Sequence, residues 1–173
     1  MLLPTDLLPA SVGLQWGMRK SDCLTLLRVT PSRQHPLWAL VPVRIRDEHH
    51  ELELHFGDRD RLERMRVNLY TSRSFWDDDP PWETGEVEML WKNADALYRR
   101  LTEEATAVLG PPVFSGSWED PDYPEGEVSG DLTYWNHPGD RLQLLLEQPD
   151  RELPIVVALV SSSIINATHQ PSG

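Results

Sequence analysis

Several features that mark common protein classes are missing from this sequence. It has a single cysteine, Cys23, so no disulfide can form within the chain, and a reducing compartment such as the cytoplasm fits best. It has no apolar run long enough to span a bilayer as a helix. The first 13 residues are apolar but contain no basic residue and are interrupted by Asp6, so we expect mature chain rather than a signal peptide.

Sequence motifs of catalysis and of cofactor binding are missing as well. The chain has no GxSxG, P-loop or GxGxxG pattern, and no HExxH or cysteine-containing zinc spacing. The segment DPDYPEGEVSGD begins like a calcium loop with Asp120 and Asp122, but Pro124 and Glu125 replace a ligand and the turn glycine. We therefore expect no enzymatic activity, no cofactor and no metal. Adventitious metal binding and a carboxylate-based glycosidase are minor alternatives.

Basic residues are scarce in the middle of the chain. The formal net charge is −12, and residues 77–131 contain 3 basic against 15 acidic residues, whereas residues 1–76 contain 11 against 9. An acidic field of this kind repels nucleic acid and attracts basic partners. We therefore expect a protein partner with a basic surface, and neither nucleic acid nor a membrane.

The first half of the chain reads as a short helix followed by three strands. Ser21 or Asp22 is a suitable N-cap for the helix. Apolar and polar residues alternate in WALVPVRIR, ELELHF and LERMRVNLY, which is typical of an antiparallel meander. Pro42 cannot donate a ladder hydrogen bond, so its strand is expected at an edge or with a bulge. Arginines on the solvent side are expected to pair with Glu51 and Glu53 across the sheet, with an anion-binding surface as the minor alternative.

The second half repeats this order. The spacing of apolar residues predicts an amphipathic helix over residues 87–109, with a buried stripe of Leu90, Ala94, Leu97, Leu101, Ala105 and Val108. Gly110 and the two following prolines end it. Strands are expected in DLTYW, in RLQLLLE with one apolar face, and in LPIVVALV, with Val113-Phe114 as a further short strand. LPIVVALV is apolar on both faces, so we expect this strand to be central in the sheet or to be covered on both faces.

The predicted fold class is α+β, in a single domain over residues 1–173. The predicted order is helix-βββ-helix-βββ, with antiparallel sheet and helices packed on one face. One six-stranded sheet and two smaller sheets are both compatible with the pattern. The two halves form a possible pseudo-repeat, residues 14–73 and 87–161, joined by an acidic-aromatic loop at residues 74–86.

Two acidic loops that contain no lysine or arginine form the candidate functional site. The first is SFWDDDPPWETGEV, and the second spans residues 118–131. Tryptophans beside a charged rim are typical of interface hot spots, although they can equally clamp the loops to the domain. The residues predicted to bind a partner are Trp76, Asp77, Asp78, Asp79, Trp82, Glu83, Trp118, Glu119, Asp120, Asp122, Tyr123 and Glu125.

Two short motifs frame the predicted helices. Trp16-Gly17-Met18 precedes the first helix, Gly110-Pro111-Pro112 ends the second, and each helix leads into a meander. In this layout, over roughly residues 14–160, the chain resembles small cytoplasmic immunity proteins of bacteria, which neutralise toxins delivered between competing cells. The resemblance implies stoichiometric inhibition rather than turnover, and it assigns no residue.

The leading hypothesis is therefore an immunity protein whose acidic-aromatic loops occlude a basic surface or active site of a cognate toxin. The alternative is a secretion chaperone or adaptor for an effector protein, which would hold its client on an apolar surface. An enzyme with an unrecognised carboxylate site is the third hypothesis. The oligomeric state and the identity of the toxin stay open at this stage.

Overall fold

Eight strands and two α-helices lie within residues 2–57, 59–72, 85–125, 130–148 and 153–164, the part of the chain that the computed structural model describes. The chain begins with two short 3-10 helices, Pro4–Leu7 and Pro9–Val12. The α-helices are α1 (Lys20–Leu27) and α2 (Glu86–Leu109). The strands are β1 (Arg33–His35), β2 (Trp38–Ile45), β3 (Glu48–Phe56), β4 (Leu62–Thr71), β5 (Phe114–Ser117), β6 (Asp131–His137), β7 (Asp140–Glu147) and β8 (Val156–Ser163).

The strands form one antiparallel sheet in the order β1-β2-β3-β4-β8-β7-β6-β5. The predicted mixed α+β class is thus confirmed, and the open choice between one sheet and two is resolved as one. The predicted order of three strands per half omits β1, whereas β5 contains Phe114 of the further short strand expected after the second helix; β1 and β5 form the two edges of the sheet. The placement of both helices on one face and the pseudo-repeat stay predictions.

The chain divides into two compact units, each with its own buried residues. The first unit comprises Met1–Val67, Asn136–Leu142 and Leu159–Gly173, and the second comprises Asn68–Trp135 and Gln143–Ala158.

In the first unit, β2, β3 and β4 form the predicted meander. The link between β2 and β3 is a two-residue hairpin turn, because only Arg46 and Asp47 separate the strands. Their φ angles of 47° and 67° are the left-handed conformation of a type I′ hairpin turn. Alternate residues are buried as the period-two pattern requires, among them Ala39, Val41, Leu52, Leu54, Phe56, Met65 and Val67.

Pro42 does not mark an edge strand. It lies on β2, which pairs with β3 on one side and with β1 on the other. The β1 pairing reaches only to Leu40, so it stops short of the proline. Because β1 does not extend alongside Pro42, the missing N–H of Pro42 leaves no ladder hydrogen bond to β1 unmade.

The start of α1 also differs from the expectation. The helix begins at Lys20 with Arg19 as its N-cap, and no side chain caps it. Ser21 and Asp22 therefore lie inside the first turn, where the carboxylate of Asp22 still interacts favourably with the helix dipole. The cap prediction was wrong by two to three positions, an ordinary error at a helix boundary.

The motif Trp16-Gly17-Met18 is a structural turn in the first unit. Gly17 has a φ of 77°, and its N–H donates to the carbonyl of Leu62 at 2.9 Å. The N–H of Leu62 in turn donates to the carbonyl of Met18 at 2.9 Å. The Trp16 indole N–H donates to the carboxylate of Asp140. The turn thus joins the segment before α1 to the start of β4.

In the second unit, α2 matches the predicted helix to within one residue. Its buried residues are Ala94, Tyr98, Leu101 and Ala105. Val108, which the sequence places on the same stripe, is 60% exposed, so the stripe ends one turn early. Gly110 ends the helix with a φ of 83°, and its carbonyl accepts the indole N–H of Trp135 at 3.1 Å.

The strands β7 and β8 are buried on both faces. In β8 every residue from Val156 to Ser161 is buried, as the sequence predicts for a central strand. In β7 the predicted apolar face of Leu142, Leu144 and Leu146 is buried, and the intervening residues up to Glu147 are buried as well. A strand inside a sheet can bury both faces even when its sequence alternates.

Candidate functional site

Half of the predicted partner-binding residues lie outside the part of the chain that the structure describes. These are Trp76, Asp77, Asp78, Asp79, Trp82 and Glu83. The predicted role of the first acidic loop therefore stays a prediction, and the structure describes candidate residues of the second loop only.

Residues 118–125 of the second acidic loop are held in a defined conformation by backbone hydrogen bonds. Trp118 donates its N–H to the carbonyl of Gly130 at 2.9 Å. Asp120 donates to the carbonyl of Ser117 at 2.9 Å, and Tyr123 donates to the carbonyl of Asp120 at 3.0 Å. These residues therefore form a succession of tight turns anchored at the end of β5.

The side chains of this loop divide into an exposed and a packed group. Trp118 is 66% exposed, and the carboxylates of Glu119, Asp122 and Glu125 are exposed with it. Tyr123 instead packs the edge of its ring against Phe114, with the ring centroids 5.8 Å apart. We call the exposed group, Trp118 with Glu119, Asp122 and Glu125, the acidic rim.

Asp120 turns back toward the sheet. Its Oδ2 accepts the backbone N–H of Ser117 at 2.6 Å. A Cβ on Gly116 would lie 2.2 Å from that oxygen, so the hydrogen bond depends on a glycine at position 116. Asp120 also covers an N–H at the end of edge strand β5, a position that otherwise invites pairing with another chain.

Asp120 lies at one side of a pocket with a volume of about 400 Å³ in the second unit. The pocket has walls from α2, from β5 and its following loop, and from the first residue of β6. Its lining residues are Asp95, Tyr98, Arg99, Thr102, Glu103, Ser115, Gly116, Ser117, Asp120 and Asp131.

One face of α2 supplies half of this lining. Asp95, Arg99 and Glu103 follow at intervals of four residues, which places them on one side of a helix. The Nε of Arg99 lies 2.9 Å from both carboxylate oxygens of Asp95. Arg99 therefore balances one carboxylate of the pocket and leaves Glu103, Asp120 and Asp131 in formal excess.

Hydroxyl groups line another side of the pocket. The Tyr98 hydroxyl lies 2.7 Å from the Thr133 hydroxyl, which lies 2.8 Å from that of Ser115. Burial raises the pKa of the Tyr98 phenol well above its ordinary value, so Tyr98 is neutral at physiological pH. This chain of hydroxyls fixes the position of the Tyr98 ring between α2 and the sheet.

Asp131 is the most strongly affected carboxylate of the pocket. Burial raises the pKa of its carboxyl, and the charges of Asp95 and Asp120 raise it further, while Arg99 opposes the change. Asp131 stands directly opposite Ser117 in the pairing of β5 with β6. The strand register therefore places Asp131 beside the end of β5, where the loop that carries Asp120 begins.

These carboxylates do not form a metal centre. Over the described ranges, no group of three or more His, Cys, Asp or Glu side chains is placed to hold a metal ion. The same residues offer hydrogen-bond acceptors spread around a concave surface. This arrangement suits an organic cation better than a metal ion.

Sequence reasoning found only one residue of this pocket, Asp120. It placed Asp131 in the second acidic loop without assigning it a role, and it assigned no role to Tyr98. The i, i+4, i+8 spacing of Asp95, Arg99 and Glu103 was the available signal, because it aligns three charged side chains on α2. Nothing in the sequence indicates that these three side chains line the same pocket as Asp131.

Fold and site together define an α+β protein with an acidic surface loop beside an acidic pocket. No protein-family model matches the chain, and comparisons with curated proteins and with solved structures likewise find no match. Within the described ranges, the helices are too short or too polar to span a bilayer.

Proposed function

We propose that this protein is a cytoplasmic immunity protein, which binds a basic surface or active site of a cognate bacterial toxin and inhibits it without catalysis. The observation that carries the proposal is the acidic rim, in which Trp118 stands 66% exposed beside the exposed carboxylates of Glu119 and Asp122. A large aromatic side chain gains stability by burial, so its exposure at this place favours a role in contact with a partner.

The charge distribution supports a basic partner. Residues 77–131 carry most of the chain's acidic excess, with 15 acidic and 3 basic residues. A toxin that acts on nucleic acid, nucleotides or another anion needs a cationic site, and a carboxylate-rich surface competes for that site. Opposite charge also speeds association, and this effect weakens as salt is added.

The rim is preorganised for such a contact. Hydrogen bonds through Trp118, Asp120 and Tyr123 hold its backbone in place, and Tyr123 packs on Phe114. A loop that is already ordered loses less conformational entropy on binding, and that improves affinity for a given set of contacts. The resemblance of the helix and meander layout to immunity proteins agrees with this assignment.

The test is to coexpress the protein with any toxin-domain protein encoded by a neighbouring gene, and then to measure binding kinetics with the purified pair. The wild type should restore growth, and its association rate should fall at least about tenfold between low and physiological salt. Trp118→Ala should weaken affinity by about 2 kcal/mol, as expected for an aromatic hot spot. Glu119→Gln with Asp122→Asn should act mainly on the association rate.

The matched control is Asp47→Asn with Glu104→Gln, which removes two carboxylates outside the acidic rim and the pocket. It should leave the association rate near that of the wild type. Unchanged affinity in both rim variants would show that the rim is not the binding surface. If the toxin is neither bound nor neutralised, the immunity function itself is wrong, and capture of an extended client by a dimer would favour the chaperone alternative.

A further inference from the structure

The pocket between α2, β5 and β6 has the dimensions of a binding site. Its volume of about 400 Å³ lies within the roughly 300–1,000 Å³ of small-molecule sites. A buried residue of α2, Tyr98, forms part of its wall, and the hydroxyls of Thr133 and Ser115 fix that residue through bonds of 2.7 and 2.8 Å. The concavity is thus part of the packed structure of the second unit.

The pocket is built to receive positive charge. Among its ten lining residues, all within the described ranges, Arg99 is the only basic one, and both oxygens of Asp95 already engage its Nε. Glu103, Asp120 and Asp131 then face the cavity without a second cation in the lining. The charges of Asp95 and Asp120 already disfavour ionisation of Asp131, and a cation entering from a partner would offset that repulsion.

The shape of the lining favours a guanidinium group over an ammonium group or a metal ion. A guanidinium presents five N–H donors in a planar fork and can bond two carboxylates at once, whereas an ammonium is a compact, strongly hydrated charge. The carboxylates come from a helix, a loop and a strand, and the described residues include no trio close enough to chelate a metal. The Tyr98 ring and the stem of Glu103 provide a surface along which the methylenes of an arginine can lie.

We propose that this pocket accepts one arginine side chain of the basic partner, whose guanidinium lies against Asp131 on β6 and beside Asp120, with Glu103 on α2 in the same lining. This inference rests on the proposed function, because it names the partner group that the site recognises. The acidic rim begins at Trp118, directly after the pocket residue Ser117, so one partner surface can touch the rim and insert into the pocket. The rim then raises the association rate, and the pocket lowers the dissociation rate of the complex.

The pocket itself is tested with N-acetyl-arginine amide, and N-acetyl-citrulline amide serves as the neutral analogue of the same shape. Amide signals of Gly116, Ser117 and Asp131 should shift and saturate with the arginine compound and should not move with the citrulline compound. N-acetyl-lysine amide should bind several-fold more weakly. Shifts of equal size with citrulline, or shifts scattered over the acidic surface without saturation, would overturn the proposal.

Substitutions assign the effect to the pocket. Asp131→Asn should weaken binding of N-acetyl-arginine amide at least about fivefold, and Glu103→Gln should do so independently, which keeps the test valid if one variant folds poorly. Glu104→Gln removes a carboxylate from the same helix outside the pocket and should leave the affinity unchanged. Loss of binding in Glu104→Gln equal to that in Asp131→Asn would show a general charge effect and contradict a defined pocket.

The partner complex separates this inference from the proposed function. Asp131→Asn should raise the dissociation rate from the toxin about tenfold with little change in association, because a desolvated charge pair acts on the dissociation rate and a rim charge on the association rate. If Trp118→Ala weakens the complex and Asp131→Asn does not, the immunity function stands and the pocket inference fails. If the arginine compound occupies the pocket but no toxin is bound, the recognition chemistry stands and the immunity function fails.

Discussion

Cys23 shows how burial sets the chemistry of a single residue in this protein. Its side chain is fully buried on α1, and burial raises the pKa of the thiol from 9.0 to about 11, with the charge of Asp22 adding to the rise. A buried thiol with a raised pKa carries little thiolate at physiological pH, so it is a poor nucleophile. Cys23 is therefore a buried packing residue of α1.

The pKa of Cys23 predicts a loss of stability at alkaline pH. Above about pH 9 the unfolded chain releases the thiol proton while the folded chain keeps it until about pH 11, so unfolding becomes more favourable as the pH rises. Denaturant unfolding from about pH 8 to 10.5 should show a steeper decline for the wild type than for Cys23→Ala, by on the order of 1–2 kcal/mol. The alanine variant starts lower because it leaves a cavity; parallel declines would contradict the prediction.

The two motifs that carried the resemblance to immunity proteins have structural roles at the level of residues. Gly17 has a φ of 77° and pairs with the start of β4, and Gly110 has a φ of 83° and accepts the Trp135 indole. Both positions need the left-handed conformation that glycine adopts readily. These glycines therefore support the layout of the fold, and the acidic rim and pocket carry the functional proposal.

At the level of secondary structure, α2 was the element that the sequence defined best. Its apolar spacing, its acidic first turn and Gly110 located it to within one residue. Of the predicted stripe, Ala94, Leu101 and Ala105 are buried, Leu90 and Leu97 are half-buried, and Val108 is 60% exposed. Periodicity reports which side of a helix is apolar, but it cannot report where the neighbouring sheet ends.

Two alanine substitutions on α2 test this description of its buried face. Leu101 is buried, so Leu101→Ala should lower the free energy of unfolding by about 2–5 kcal/mol. Val108→Ala should change it by less than about 0.5 kcal/mol, because the valine is exposed and alanine favours the helix. Chemical denaturation of both variants measures the difference. A loss of more than about 1 kcal/mol in Val108→Ala would mean that the Val108 side chain is buried.

At the level of the whole molecule, the net charge of −12 opposes folding through self-repulsion. Added salt screens exposed charges within a Debye length of roughly 8–10 Å near physiological ionic strength. The melting temperature should therefore rise by a few degrees between about 20 and 200 mM NaCl, an effect on the order of 1 kcal/mol. A melting temperature that falls with salt would mean that favourable ion pairs outweigh the repulsion.

The same screening acts in the opposite direction on binding. Salt that stabilises the free protein should slow its association with a basic partner. Asp131 links the two effects in the proposed complex, because the charges of Asp95 and Asp120 disfavour its ionised form in the free pocket and a partner's cation would favour that form. A partial loss of stability at a binding site in exchange for function is common in natural proteins.

The sequence by itself determined the α+β class, the three strands β2, β3 and β4, the span of α2 and the acidic character of the loop at residues 118–131. These features arise from local patterns: an alternation, a helical period and a run of carboxylates. Only the tertiary structure decided the strand order, the edge positions of β1 and β5, and the pocket. The pocket depends on the register that sets Asp131 opposite Ser117 and on the side of α2 that bears Asp95, Arg99 and Glu103. Residues so far apart in the chain meet only through the packing of the second unit.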